Sequence, residues 1–194
     1  MSEQFITVYA EQTPNPESIK FVYNVPLIKG SRSYDFPYGS DTSISPLATA
    51  LFKFNFIQGV FISQNFVSIT KVEAAMWAEL IPIIRTFLKE YKNANDPIVL
   101  DDDTGADDNV FEDSDTDIIK KIKEILSKNI KPVVEMDGGN IDFLKFDVET
   151  GQLTVALKGS CSGCPSSTVT LKSGIQNLMQ RLVPEVKEVV AESL

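Results

Sequence analysis

The sequence predicts an α+β protein of two small domains with antiparallel sheets, the second in α-β-β-α-β order, joined by an acidic linker. Three observations predict it. Short β-prone runs and amphipathic helical stretches occur in both halves, with turn residues between neighbouring runs. The 194 residues suit one large domain or two small ones. The charge is also uneven, with 7 basic and 8 acidic residues in 1–91, 1 and 10 in 92–117, and 10 and 9 in 118–194. The net charge of −9 therefore lies wholly in the middle segment. The expected division is a first domain over 1–91, a flexible linker over 92–114 and a second domain over 115–194.

In the first domain, Phe5–Tyr9 and Ile19–Tyr23 are β-prone, with Thr13-Pro14-Asn15-Pro16-Glu17 as turn chemistry between them. Ser45-Pro46 starts a helix, with Ser as N-cap and Pro in the first turn. Leu47, Ala50, Leu51 and Phe54 follow at helical spacing. Gly59–Ile62 and Phe66–Thr70 flank Ser63-Gln64-Asn65 as a hairpin. Met76–Tyr91 carries Trp77, Leu80, Ile81, Ile84, Phe87 and Leu88 at the spacing of an amphipathic helix, with Pro82 near its start or at a kink.

The linker contains Asp101-Asp102-Asp103-Thr104-Gly105-Ala106-Asp107-Asp108-Asn109. Like charges with little apolar surface imply a solvated spacer. A Ca²⁺ loop is the sharper reading, but the run lacks the glycine such a loop wants at its sixth position. Beyond it, Ser114 with Asp117 signals a helix start. Ile118, Ile119, Ile122, Ile125 and Leu126 share one face, and Lys131-Pro132 is expected to end the helix. Asp137-Gly138-Gly139 reads as a turn. Ile141–Val148 and Leu153–Leu157 read as a hairpin closed at Glu149-Thr150-Gly151. A helix through Val169, Leu171, Ile175, Leu178, Met179 and Leu182 is broken by Pro184, before a last strand over 186–191.

Composition excludes several functions. There is no histidine, so neither a His-dependent nucleophile nor a His-ligated zinc is possible. Two cysteines do not make a secreted disulfide framework. No stretch approaches the ~18 apolar residues of a membrane span, and neither domain is basic enough to suggest nucleic acid. The first residues carry neither a signal peptide nor an Arg-rich transit segment, which leads to the expectation of a cytoplasmic protein.

The chemistry concentrates in Lys158-Gly159-Ser160-Cys161-Ser162-Gly163-Cys164-Pro165-Ser166-Ser167, between a strand and a helix. The i, i+3 spacing lets Cys161 and Cys164 face one metal centre. The helix dipole and unpaired N–H groups favour thiolates there, and Lys158 is placed to help. Three readings follow: a pair of buried inert thiols, a thiol–disulfide oxidoreductase, or a metal or cluster site. A Gly-flanked, Ser-rich loop argues against the first. Thioredoxin-like folds place such a motif early, after a long strand, which argues against the second. For the third, a cluster wants four thiolates and one chain supplies two, so a symmetric dimer would complete the set. Zinc in a four-cysteine site obeys the same count. The absence of any acid–base pair near the motif favours carriage over catalysis, and an exposed shared loop would release its cargo readily.

These residues resemble a known family. Lys131-Pro132, Asp137-Gly138-Gly139, the run Gly159–Ser167, Thr170-Leu171-Lys172, Gly174-Ile175 and Pro184-Glu185-Val186 resemble the C-terminal domain of NifU-like (Nfu-type) iron–sulfur proteins. Thr13-Pro14-Asn15-Pro16, Ser18-Ile19-Lys20-Phe21, Ser45-Pro46-Leu47-Ala48, Leu51-Phe52 and Gly59-Val60 are similar to the family's N-terminal domain. The resemblance implies a carrier or scaffold, not an enzyme, that accepts a 4Fe–4S cluster and passes it to apo-proteins. It implies Cys161 and Cys164 of two subunits as ligands, with a homodimer when loaded and a cluster that can be absent from the isolated protein. The implied partners are apo iron–sulfur client proteins and upstream cluster assembly factors, with no nucleic acid or membrane. The N-terminal domain, without cysteine, is implied to be a folding module or a docking surface for these partners. Asp137-Gly138-Gly139 is implied to serve turn and packing, not ligation. Mitochondrial members carry a targeting segment, and its absence here is taken to favour a bacterial-type cytoplasmic protein.

Overall fold

A computed structural model describes residues 5–30, 32–100, 115–162 and 165–193, with the backbone alone for 165–168 and 193. The chain forms two compact units, Met1–Gly105 and Ala106–Leu194. The acidic run 101–114 lies outside the described residues.

The first unit is a five-stranded antiparallel sheet carrying two helices. Its strands are β1 (Val8–Gln12), β2 (Ser18–Tyr23), β3 (Tyr34–Pro37), β4 (Ile57–Ile62) and β5 (Phe66–Lys71), in the order β1-β2-β5-β4-β3. The first strand starts later than its residue types suggest. Asn24 takes the place of a ladder partner, accepting from Thr7 N at 2.9 Å and donating to the Phe5 carbonyl at 2.8 Å. Helix α1 (Pro46–Leu51) is capped as expected, with Ser45 Oγ accepting from Ala48 N at 3.1 Å. The same hydroxyl donates to the Ile98 carbonyl at 2.8 Å, and Leu100 N bonds the Ile44 carbonyl at 2.7 Å. Helix α2 (Trp77–Asn93) buries Leu80, Ile84 and Leu88 and holds Pro82 in its second turn. Ile98 is also buried in this core, so residues 92–100, assigned by sequence to the linker, pack with the first domain. Ile98 and Val99 join the core, a placement their acidic neighbours in the sequence concealed.

The second unit opens with α3 (Asp117–Ile125), capped by Thr116 Oγ1, which accepts from Ile119 N. The cap expected at Ser114 falls outside the described residues. The helix does not end at Lys131-Pro132. A π-helical turn (Leu126–Ile130) carries it directly into α4 (Lys131–Met136), with Pro132 in the first turn of α4. Proline removes a donor and crowds the preceding turn, and a widened π turn placed just before it absorbs that misfit.

Strands β6 (Gly139–Asp147) and β7 (Gln152–Gly159) form the expected antiparallel hairpin, with a bulge between Phe143 and Lys145. Helix α5 (Pro165–Leu182) then crosses over, and β8 (Glu188–Ser193) joins β7 in parallel. A two-residue turn cannot join parallel strands, whereas an intervening helix can. The core of this unit includes Ile122, Leu126, Val134, Ile141, Leu153, Val155, Leu157, Ile175, Met179 and Val189. No helix among the described residues is long and apolar enough to cross a membrane.

The hairpin turn is held by Asp147, whose Oδ1 accepts from Glu149 N at 2.9 Å and Thr150 N at 3.0 Å. The hydrogen bond from Thr150 N leads the causes that hold this carboxyl below its ordinary value of 3.8. The folded pKa is depressed, so the contribution to stability is complete above the unfolded value and is lost as pH falls through the folded one. A carbon-detected NMR titration should give an Asp147 midpoint below 3.8. Asp147→Asn should remove this carboxylate's share of the acid sensitivity, seen as a flatter stability profile below about pH 4.

Candidate metal centre

The hairpin pairs Gly139 with Gly159 at the end opposite its turn, and this pairing builds the site. Asp137 caps α4, and Gly138 follows at φ +82°, a left-handed angle that glycine adopts freely. Gly159, at φ +68°, turns the chain off β7 two residues before Cys161. A Cβ on Gly139 would lie 2.5 Å from the Lys158 carbonyl oxygen and 2.8 Å from Cys161 Sγ. Only a glycine lets the cysteine loop close onto the start of β6.

The loop is pinned by hydrogen bonds to the start of β6 and within itself. Ser160 Oγ donates to the Asp137 carbonyl, and Ser160 N bonds the Gly138 carbonyl at 3.3 Å. Ser162 folds back on Gly159, its N and Oγ reaching that carbonyl at 3.0 and 2.9 Å. Cys161 is consequently only 5% exposed and belongs to the apolar core cluster that includes Ile141, Leu157 and Ile175. The loop was expected to be exposed; the absent side chain at Gly139 creates the recess that shelters this thiol instead.

Lys158 stands opposite Asn140 on β6, and its ammonium pairs with Asp142 at 2.6 Å. Asn140 Nδ2 donates to the same carboxylate at 3.1 Å. The charge expected to assist the thiols is thus engaged by a buried carboxylate that sequence reasoning did not single out. Cys164, the second predicted ligand, lies outside the described residues, as does Gly163; Pro165 opens α5 immediately after them. Ser160 was also missed. Its only sequence signal is its place between a glycine and the first cysteine.

Two family models match the chain in order. "Scaffold protein Nfu/NifU N terminal" matches residues 8–95, and "NifU-like domain" matches residues 122–190. The chain belongs to the NifU-like (Nfu-type) family. Its N-terminal Nfu domain corresponds to the five-stranded unit, and its NifU-like domain to the unit that holds Cys161.

Among the family's members, the chain is 39% identical to a Drosophila simulans protein named NFU1 iron-sulfur cluster scaffold homolog, mitochondrial, over 182 residues. That match covers 94% of this chain and 63% of the relative. The Drosophila willistoni protein of the same name is 38% identical over 189 residues, covering 97% and 64%. The chain thus spans under two-thirds of the length of these relatives. A solved NifU-like protein from Saccharomyces cerevisiae matches with TM-score 0.46 and 22% identity, covering 53% of this chain and 92% of that one.

These names overturn the cytoplasmic, bacterial-type placement drawn from the first residues. An address segment contributes nothing to the packed domains, and the first residues of a chain shorter than its relatives are no guide to compartment.

Gly139→Ala forces a Cβ against backbone that cannot move aside cheaply. It should destabilise the NifU-like domain by about 1–3 kcal/mol, the usual range for overpacking. Urea unfolding followed by NMR should show the loss in that domain, with resonances of the Nfu domain unshifted.

Proposed function

We propose that this chain is an iron–sulfur cluster carrier. It would accept a 4Fe–4S cluster on Cys161 and Cys164 of two copies and deliver it to apo-proteins, acting stoichiometrically and without catalysis. The observation that carries this reading is the placement of Cys161 on a short loop at the open end of a hairpin, in a recess that glycine alone permits. A rigid sheet fixes where the cysteine loop begins, while Gly159, already at a left-handed angle, allows the backbone there to change conformation.

Ligand arithmetic supports a shared cluster. Four thiolates are wanted and one chain brings two cysteines, so a second copy supplies the rest. Cys164 enters on the family's motif. Sharing also serves delivery, because each pair of ligands can leave with its own subunit, or an incoming thiolate can replace the ligands one at a time. The names of the Drosophila relatives, as iron–sulfur cluster scaffolds, support the same cargo. The Nfu domain, without cysteine, is the part suited to engaging upstream assembly factors and client proteins.

Anaerobic reconstitution with iron and sulfide tests this directly. About four iron and four sulfide per dimer are expected, with reversion to monomer on chelation. Cys161→Ala and Cys164→Ala should each abolish cluster retention without changing the urea midpoint of the Nfu domain. A monomer that takes up neither iron nor sulfide, but cycles a Cys161–Cys164 disulfide, would sink the carrier reading.

A further inference from the structure

We infer that Ser160 is a positioning residue for the cargo site: its hydrogen bonds to the start of β6 hold Cys161 in a sheltered, unloaded conformer that must open before the cluster is bound. The inference rests on the carrier reading for its purpose, but the latch itself is a property of the unloaded chain.

Ser160 is 2% exposed. Its hydroxyl donates to the Asp137 carbonyl, and its amide to the Gly138 carbonyl at 3.3 Å. The next residue on each side makes the tight approach, Gly139 at the start of β6 against Cys161 in the loop. Loop and strand start are thus fastened at successive positions, 160 on 137 and 138, then 161 on 139. A sulfur inside this fastening belongs to the buried apolar cluster of the domain, with Cys161 5% exposed. A ligand that shares a metal centre with a second chain has to present its sulfur at the surface. The sheltered and ligating positions of Cys161 Sγ are therefore different conformers.

The backbone is built for such a change. Gly159 already occupies the left-handed region at φ +68°, and glycine moves between backbone regions at little cost. The bonds from Ser162 to the Gly159 carbonyl keep 159–162 together as a turn, so the segment can swing as a unit about Gly159. In this scheme the sheltered conformer competes with loading. The apparent affinity for the cluster falls by the fraction of chains that are open. Removing the hydroxyl of Ser160 leaves its amide bond in place and shifts that fraction upward.

The test uses the full chain carrying Cys164→Ser, so that Cys161 is the one thiol, with and without Ser160→Ala. Alkylation of the unloaded protein by iodoacetamide is followed by mass spectrometry at several urea concentrations below the unfolding transition. Ser160→Ala should accelerate alkylation about three- to tenfold, the range set by one hydrogen bond, and the rate should not depend on urea. Local opening exposes little surface, whereas global unfolding is steeply urea-dependent. An unchanged rate, or one that climbs with urea along the global unfolding slope, would overturn the latch. With both cysteines present, Ser160→Ala should also give up its cluster to a chelator more slowly than the parent chain. Alkylation that behaves as expected, in a parent chain that never takes up iron, would leave the latch standing and remove the carrier reading instead.

Discussion

The contact between Gly139 and Cys161 sets the geometry around it. The first residue of β6 and the cysteine loop occupy the same space, and there is no room between them for even a methyl group. This requirement reaches outward in both directions along the chain. Upstream, α4 has to stop at Asp137 and turn through Gly138 so that Gly139 enters the sheet in register with Gly159. Downstream, β7 has to end at Gly159 so that Cys161 falls into the recess. An offset that brought Asn140 opposite Gly159 would place a side chain where Gly139 now stands, and a slip of one residue in either direction would turn the buried face of a strand outward.

Several less regular features make sense as ways of meeting that constraint. The π turn at Leu126–Ile130 lets one continuous helical stretch pass through Pro132 and still deliver Val134 to the core and Asp137 to its cap. The bulge between Phe143 and Lys145 takes up an extra residue on β6. The pairing therefore holds at both ends of the hairpin, at the Asp147 turn and at the glycine pair. Helix α5 and the parallel β8 close the other side, with Ile175, Met179 and Val189 joining the cluster that also contains Cys161. Cys161, the proposed ligand, is therefore part of the core in the unloaded chain, and the stability of the domain is coupled to the position of one sulfur.

What the sequence made legible follows from the range of the interactions involved. The Ser45 cap, the two hairpins, the long helices and the Cys-x-x-Cys loop depend on neighbours within a few residues, and local chemistry revealed them. Strand β3 was missed: it is four residues at a sheet edge, with a terminal proline and little alternation. Residues 92–100 were assigned to the linker because the anchoring of Ile98 depends on Ser45, some fifty residues away. The π turn escaped because proline is a strong local stop signal, and only the geometry of the preceding turn overrides it. At the site, the cysteine pair was evident from its flanking glycines, and Asp137-Gly138-Gly139 was read as turn and packing chemistry. That the packing partner is Cys161 itself, and that Ser160 and Asp142 support the loop, follows from the hairpin register, which no single motif encodes.

A carrier faces opposed demands on the same thiols. It must bind a cluster tightly enough to protect it and loosely enough to surrender it, and a permanent site of four well-placed ligands would satisfy only the first. Sharing the ligands between two chains weakens retention by making it depend on protein concentration. Sheltering one ligand in the core of each unloaded subunit adds a second, intramolecular competitor. When a subunit lets go, Cys161 has somewhere to return: the glycine recess and the two carbonyls that receive Ser160. The free energy of closing the loop then favours release, and an emptied carrier is left with its thiol protected inside an apolar cluster. On this reading the recess at Gly139 is as much a part of the delivery chemistry as the cysteines themselves.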